Sequence, residues 1–334
     1  MVFTAPSVSK TTLSIRVSTN GKESNSVDLE YTEEKPVDDW SDEPTLDFVA
    51  LGGTKVTVVP GVEWTTFHGT WEGQVRNINI IRTTLNEHNR LGIYYNYSTT
   101  YPDGYKPSLA DDGEDPRDLD KKCIWLDAVA GTNGPMACCH FVRVNGVIAR
   151  AAVEADDWIE NCAITIDDDG TVNIVKVLDN YYASRLSNKK DGHPENTLTV
   201  GCAGPLLVWE GEEQTYPAWA TEDFIKTTHP RTALGLSKDG KTVIQVAVDG
   251  RWDRSTSAER AIGMSTDLLA KLMKGLGCYK AMNFDGGGGT AMWVYGYGNS
   301  RNIVNRVCEN RWDWNGTKLR ATGNAVYIKS DLKK

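Results

Sequence analysis

The sequence predicts an α+β domain built mainly from antiparallel sheets, with a few packed helices. Short apolar runs alternate with dipeptides that favour tight hairpin turns. Only one segment carries a strong helical spacing of apolar residues. Repeated hairpins with a single clear helix favour antiparallel sheets over alternating strand–helix units. The turn dipeptides are Asn145-Gly146, Asp169-Gly170 and Asp239-Gly240.

Length and composition are those of an ordinary globular protein. The chain has 334 residues, 40% hydrophobic and 24% charged, which suits one large domain or two smaller ones. A net charge of −9 without any basic cluster disfavours a nucleic-acid partner. No apolar run approaches membrane-spanning length, and no signal peptide stands at Met1.

The cysteines do not indicate a metal site. There are seven, none forms a Cys-x-x-Cys pair, and the histidines are scattered. The odd number excludes complete pairing within the chain. Most lie in apolar runs and are interpreted as buried thiols, whereas adjacent Cys138-Cys139 has no assigned role.

Residues 1–55 are predicted to form an N-terminal appendage. Residues 11–17 alternate like a strand, and residues 26–31 return after an Asn-Gly turn. Residues 33–44 are rich in Asp, Glu and Pro and are interpreted as a solvated linker. The main domain is therefore expected to cover residues 56–334.

The main domain is predicted to begin with strands at residues 55–59 and 75–82. The second is expected to form a long hairpin with residues 91–97, through a turn at 86–89. An acidic loop follows at residues 103–120. A solvated loop and a calcium site are both open for it, and the irregular spacing of carboxylates favours the solvated loop.

One helix is predicted at residues 266–276. Ser265 or Thr266 is expected to cap its start, and Gly275 and Gly277 suit its end. The apolar residues that recur at helical spacing are Leu268, Leu269, Leu272, Met273 and Leu276.

The most informative stretch follows this helix at residues 281–292, Ala-Met-Asn-Phe-Asp-Gly-Gly-Gly-Gly-Thr-Ala-Met. Four glycines cost backbone entropy, which is tolerated where the backbone must approach another group closely or adopt positive φ. Their consecutive N–H groups can form an anion-binding concavity. A flexible surface loop is the alternative. No Lys follows as in a P-loop, and no helix follows as in a dinucleotide-binding turn.

This stretch resembles the Asn-Leu-Asp-Gly-Gly-Gly-Ser-Ser-Thr-Met signature of the phosphodiester glycosidase family. Similar elements are the Gly-Pro-Leu-Leu-Val run at residues 204–208, the Ile-Val-Asn-Arg run at 303–306 and a closing strand at 319–328. The resemblance covers about residues 56–330 in order. It is densest over residues 229–292.

The resemblance implies an enzyme that cleaves the sugar–oxygen bond of a sugar 1-phosphodiester and leaves a phosphomonoester, with no cofactor. Such a reaction needs an anion-binding group, help for an oxocarbenium-like carbon and an activated water. The candidate catalytic residues are Arg231, Asp249 and Asp285, which we expect to lie around one cleft. Arg231 suits phosphate binding, and the aspartates suit acid/base or water-positioning roles that stay open between them.

The candidate substrate-binding residues fall into two groups. Loop N–H groups and Arg320 suit phosphate, and the asparagines suit sugar hydroxyls. His229, before Pro230, is a weaker candidate. The predicted substrate-binding residues are Asn133, Gly134, Asn283, Gly286, Gly287, Gly288, Gly289, Thr290 and Arg320.

Two functions from different classes stay open. One is a secreted, periplasmic or cell-envelope glycosidase acting on a glycan or sugar-phosphate substrate. The other is a non-catalytic carbohydrate-binding or envelope-interaction protein on the same scaffold. The presence of Arg231, Asp249 and Asp285 favours the first, which is the function we predict. Gly289 and Ala291 replace two hydroxyl residues of the family signature, and the corner at 133–141 lacks its aromatic pair, which favours the second. A metal-dependent phosphodiesterase would need clustered His and Asp ligands that the sequence lacks.

Overall fold

The computed structural model describes residues 11–15, 18–19, 22–23, 27–31, 43–95, 118–135, 141–150, 161–177, 197–216, 221–252, 260–309 and 318–333. Most of the predicted acidic loop, and Cys138-Cys139, lie outside these residues. Contacts divide the chain into two units, Met1–Trp40 and Ser41–Lys334.

The described strands, in chain order, are β1 Thr11–Ile15, β2 Ser18–Thr19, β3 Lys22–Glu23, β4 Val27–Tyr31, β5 Thr54–Val59, β6 Val62–Trp71, β7 Gln74–Thr84, β8 Asn89–Tyr95, β9 Ala128–Thr132, β10 Val142–Val144, β11 Val147–Arg150, β12 Cys162–Asp167, β13 Val172–Lys176, β14 Thr197–Ala203, β15 Leu206–Trp209, β16 Glu212–Glu213, β17 Arg231–Leu236, β18 Thr242–Val248, β19 Lys280–Asn283, β20 Met292–Val294 and β21 Asn324–Ser330. The described α-helices are α1 Leu119–Trp125 and α2 Thr266–Gly275, with a π-helical turn at Thr221–Lys226 and a 3-10 turn at Gly287–Gly289. None of these helices is long and apolar enough to cross a membrane.

In the smaller unit, β1 pairs antiparallel with β4, and β2 pairs antiparallel with β3. The predicted return of residues 26–31 onto residues 11–17 is therefore confirmed over the described strands.

The described residues of the larger unit form three antiparallel sheets. The largest has eight strands in the order β16-β15-β19-β17-β18-β7-β6-β5. A second has the order β11-β10-β14-β12-β13, and a third has the order β20-β9-β21-β8. The predicted dominance of antiparallel sheet is confirmed, and helices are sparser than in a typical α+β protein.

The three sheets share one apolar core. Ile81 and Leu234 of the largest sheet meet Ile164 of the second and Val326 of the third. Because side chains alternate along a strand, the neighbouring residues of the largest sheet point to its other face, where α2 packs. Helix α1 covers the other face of the four-stranded sheet. The order of layers is therefore α2, large sheet, the two smaller sheets, and α1 on one of them.

Helix α2 forms where the sequence predicts it. The Ser265 hydroxyl accepts a hydrogen bond from the N–H of Leu268 at 3.2 Å, so Ser265 is the cap. Leu272 and Met273 are fully buried against the large sheet. The chain leaves the helix through Gly277 at φ +88°, a conformation that favours glycine.

The three predicted hairpins are confirmed. Strands β10 and β11, β12 and β13, and β17 and β18 are antiparallel pairs. Asn145 and Gly146 have φ of 50° and 77°, as a two-residue turn with two positive φ values requires.

The hairpin predicted between residues 75–82 and 91–97 is wrong. Strand β7 pairs with β6 and β18, whereas β8 pairs with β21 in another sheet. The Asn86 side chain accepts from the N–H groups of His88 and Asn89 at 2.8 Å, which makes a local turn. The chain uses this turn to cross between sheets, which its residues alone do not reveal.

The contacts divide the two units between residues 40 and 41. The N–H of Leu46 donates to the carbonyl of Gly275 at 2.9 Å, at the end of α2. Phe48 is buried against Phe67 and Trp71. Apolar side chains that follow the acidic stretch therefore place residues 43–53 with the main domain.

We expect Leu272→Ala to destabilise the larger unit by about 2–5 kcal/mol, because it leaves a cavity between α2 and the large sheet. Urea unfolding followed by circular dichroism measures this. Lys271→Ala, on the exposed side of the same helix, is the matched control and should change stability much less. Equal losses from the two variants would contradict this packing.

Candidate functional site

The glycine stretch forms a tight turn that other groups approach closely. It follows β19 and enters a 3-10 turn at Gly287–Gly289, with Gly287 at φ +60°. A Cβ atom on Gly286 would lie 2.6 Å from the carbonyl oxygen of Pro230. Glycine is required here because the backbone of β17's entry leaves no room for a side chain.

Charged side chains surround this turn. A Cβ on Gly287 would lie 2.9 Å from a terminal nitrogen of Arg251, and one on Gly288 would lie 2.6 Å from a terminal nitrogen of Arg320. The carboxylate of Glu309 also lies against Gly288 and accepts from Nε of Arg320 at 2.7 Å. We call this set the glycine-turn site: Arg251, Asp285, Gly286, Gly287, Gly288, Gly289, Glu309 and Arg320.

Asp285 is the carboxyl group at the entrance of the turn. Its Oδ1 accepts from the N–H of Gly286 at 2.9 Å. Burial raises the pKa of Asp285, and nearby Glu309 adds to the rise, whereas Arg320 and Arg251 oppose it. The carboxyl group therefore takes up a proton more readily than an exposed aspartate does.

Asp249 lies fully buried after the end of β18. Its carboxylate accepts from the side-chain amide of Asn77, from that of Asn305 at 2.9 Å, and from the N–H of Arg306 at 2.8 Å. Burial raises the pKa of Asp249 to about 6, although these hydrogen bonds oppose the rise. Asp249 has no exposed surface, and three donors occupy its two oxygens. It therefore holds these three donor groups in fixed positions within the site.

Asn305 connects Asp249 to the far end of the turn. Its amide also donates to the carbonyl of Thr290 at 3.2 Å, and its oxygen accepts from the N–H of Met292 at 2.7 Å. The position of β20 after the glycines is therefore coupled to the buried carboxylate.

Arg231 is placed differently from the sequence expectation. Its guanidinium is buried and donates to the carbonyls of Met264 at 3.1 Å, Phe224 at 2.6 Å and Thr227 at 3.1 Å. Burial lowers its pKa to about 10. The backbone of Arg231 lies beside Gly286, but its guanidinium group donates to backbone carbonyls. The geometry therefore gives Arg231 a structural role.

The predicted sugar-binding asparagines also hold the backbone. Asn133 donates to the carbonyl of Asp285 at 2.7 Å and accepts from the hydroxyl of Thr232 at 2.8 Å. Asn283 donates to the carbonyl of Gly204 at 3.0 Å. Both side chains are buried, which leaves them no surface for a sugar.

Gly134 and Thr290 lie with these asparagines around the backbone of the turn. The carbonyl of Gly134 accepts from the N–H of Asp285 at 3.2 Å. Thr290 is buried, and its hydroxyl has no hydrogen-bond partner in the described part of the chain. Its carbonyl is the one that Asn305 holds.

Most N–H groups of the turn are already used, which corrects the expectation of an open row of donors. Gly286 donates to Asp285, Gly287 to the carbonyl of Pro230 at 2.9 Å, and Gly289 to the carbonyl of Gly286 at 3.1 Å. Among the described residues, only the N–H of Gly288 in this turn makes no such bond. Anion binding at the turn therefore depends chiefly on side chains.

Several residues of the site escaped the sequence analysis. Arg251 had one signal, because it directly follows Asp249-Gly250, and it has φ +66°, an uncommon conformation for a residue with a side chain. Asn305 lies in the segment at 303–306 that was noted only as a family element. Glu309 and Asn77 gave no signal, because only long-range folding brings them to the site.

No cluster of three candidate metal ligands occurs among the described residues. The five cysteines of the described part are free thiols and are buried. Cys308 lies at the turn, where its thiol donates to the carbonyl of Gly287 at 3.4 Å. Burial raises its pKa, so the thiol stays protonated.

Comparisons with known proteins show the family and the fold of the chain. The model of the phosphodiester glycosidase family matches residues 127–329. A similar solved structure is the catalytic domain of zebrafish N-acetylglucosamine-1-phosphodiester alpha-N-acetylglucosaminidase, auto-inhibited by its pro-peptide. It has a TM-score of 0.57 and 17% identity, over 83% of this chain and 88% of that chain. No curated protein sequence matches this chain.

Two bacterial structures share the fold at lower identity. A hypothetical protein from Synechocystis has a TM-score of 0.51 and 10% identity, over 97% of this chain and 68% of that chain. A Burkholderia pseudomallei protein assigned as exported has a TM-score of 0.50 and 12% identity, over 78% of this chain and 75% of that chain. At these identities the likenesses establish the fold alone.

The raised pKa of Asp249 predicts a pH-dependent stability. Because the folded state binds the proton more tightly than the unfolded state, this contribution is present below about pH 4 and is lost as pH rises through about 6. It amounts to about 3 kcal/mol at most. Urea unfolding at pH 4.5 and 7.5 should therefore show a larger pH dependence in the native chain than in Asp249→Asn. Glu63→Gln, at a carboxyl paired with Lys55 away from this site, is the control. The same pH dependence in all three proteins would refute the assignment.

Proposed function

We propose that this chain, which belongs to the phosphodiester glycosidase family, hydrolyses the sugar–oxygen bond of a sugar 1-phosphodiester in a glycan. The observation that carries the proposal is the glycine-turn site itself. Two guanidinium groups, Arg251 and Arg320, stand over a turn without side chains, beside the carboxyl group of Asp285. This arrangement suits an anionic group held next to a proton donor or acceptor.

Phosphate recognition falls to Arg251 and Arg320 in this proposal. Both guanidinium groups lie against the glycine turn, so a phosphate that binds both would lie at the edge of the turn. Arginine forks match phosphate geometry and stay charged. The N–H of Gly288 can add a further donor. Arg231, which the sequence placed in this role, is instead a structural residue that holds the carbonyls of Met264, Phe224 and Thr227.

Asp285 is the proposed catalytic carboxyl group. Water must add to the anomeric carbon while the phosphomonoester leaves with the bridging oxygen. Because phosphate is a good leaving group, strong protonation of that oxygen is unnecessary, and Asp285 can position and deprotonate the water. Asp249 is a positioning residue, since its oxygens are committed to Asn77, Asn305 and the N–H of Arg306.

The proposed location of this reaction is outside the cytoplasm, in the secreted, periplasmic or envelope fraction. The chain shares its fold with a protein assigned as exported. A sugar phosphodiester in an envelope glycan also fits the proposed chemistry of the site.

A non-catalytic glycan-binding protein is the second candidate. Gly289 and Ala291 stand where the family signature has hydroxyl residues, and this observation favours binding without turnover. The two candidates share the glycine-turn site. They differ only in whether a glycosyl phosphodiester is cleaved.

Asp285→Asn should lower the hydrolysis rate by about 10²–10⁴-fold, because the amide cannot deprotonate water. The assay uses N-acetylglucosamine 1-phosphodiesters and other glycosyl phosphodiesters. Reaction in ¹⁸O-water identifies the broken bond, since cleavage between sugar and oxygen puts the label on the sugar. Asp331→Asn is the control, and circular dichroism checks the fold. Unchanged activity of Asp285→Asn would overturn its role, and label in the phosphate would overturn the reaction.

Arg231 and Arg251 should respond differently to substitution. Arg251→Gln should weaken binding of a glycosyl phosphodiester by about 10- to 100-fold while leaving stability nearly unchanged. Arg231→Gln should instead lower the unfolding free energy by about 2–4 kcal/mol, because it leaves buried carbonyls without donors. Calorimetric binding and urea unfolding of both variants separate these effects. A stability loss confined to Arg251→Gln would reverse the assignment.

A further inference from the structure

One carboxylate at the glycine-turn site has no part in the proposed chemistry. Glu309 lies against Gly288 and accepts from Nε of Arg320 at 2.7 Å. Its side chain is 31% exposed and that of Arg320 is 42% exposed, so the pair is at the surface of the site. A phosphate that contacts Arg320 over Gly288 must therefore lie next to the carboxylate of Glu309.

Glu309 changes the charge that an incoming phosphate meets. Arg251 and Arg320 supply two positive charges, which Glu309 reduces by one whatever the protonation of Asp285. Burial and Glu309 both raise the pKa of Asp285. Asp285 and Glu309 together therefore carry less negative charge than two isolated carboxylates would. A phosphodiester carries one negative charge, whereas a phosphomonoester carries about 1.5 to 2 at neutral pH.

We propose that Glu309 is a selectivity residue that disfavours the dianionic phosphomonoester product more than the monoanionic phosphodiester substrate at the glycine-turn site. This inference rests on the proposed function, because it assumes that the site accepts a phosphodiester and releases a phosphomonoester. The physical basis is that repulsion by a fixed carboxylate grows with the charge of the bound anion. Hydrolysis adds negative charge beside Glu309, so the product is expelled.

The test uses a matched pair of probes that need no catalysis. Dimethyl phosphate is a monoanionic diester, and methyl phosphate is a dianionic monoester at pH 7.5. Their dissociation constants are measured by calorimetry for the native chain and Glu309→Gln at low salt. Glu63→Gln, which removes a carboxylate paired with Lys55 elsewhere, controls for net charge. We expect Glu309→Gln to tighten methyl phosphate by about tenfold and dimethyl phosphate by about threefold, a difference that 0.5 M salt reduces.

Each outcome bears on a different claim. A larger gain in affinity for methyl phosphate than for dimethyl phosphate in Glu309→Gln, absent from Glu63→Gln, supports the inference. If this gain is seen but no glycosyl phosphodiester is hydrolysed, only the enzymatic proposal fails. Equal changes for both probes, or none, overturn the inference while leaving hydrolysis intact. If neither probe binds either protein, the anion site is wrong and both proposals fall.

Discussion

The buried carboxylate of Asp249 joins parts of the chain that are remote in sequence. It follows β18, and its donors come from β7 and from the segment that follows β20. A buried carboxylate is costly unless its oxygens receive hydrogen bonds, and here three donors reach two oxygens. The pKa of about 6 shows that these bonds offset the burial only in part. Asn305 and Arg306, which donate to Asp249, also begin the segment that leads to Glu309 at the glycine turn.

Buried polar groups hold the backbone around the glycine-turn site, whereas Arg251 and Arg320, at its edge, are less buried. Asn133, Asn283 and Arg231 spend their donors on carbonyl groups of the surrounding backbone. Asn133 holds the carbonyl of Asp285 and so fixes the entry to the glycine turn, whose backbone could otherwise take many conformations. Arg251 and Arg320 reach the turn from the loops and are the residues that we propose bind the phosphate. A rigid frame with few charged groups at its rim is the arrangement expected of a small-molecule site.

The features that could be predicted from the sequence are those set by residues adjacent in the chain. Hairpins at Asn-Gly and Asp-Gly dipeptides, the cap at Ser265 and the turn after β19 are local, and the structure contains them. The crossing from β7 to β8 was not predictable, because its turn residues allow either a hairpin or a change of sheet. Arg231 and Arg251 show the same limit within the site. Both are arginines beside strand ends, and only burial separates the one that binds carbonyls from the one that reaches the turn.

The loss of a hydroxyl at Gly289 is linked to the position of Asp285. A Cβ at residue 289 would lie 2.8 Å from Oδ2 of Asp285, a distance that real side chains do not adopt. A serine here would therefore push the carboxylate away from the turn. With glycine, the carboxylate occupies that space while its other oxygen accepts from the N–H of Gly286. Glycine at residue 289 thus leaves room for the carboxylate of Asp285 at the turn, and on this ground Gly289 is compatible with the proposed catalytic role of Asp285.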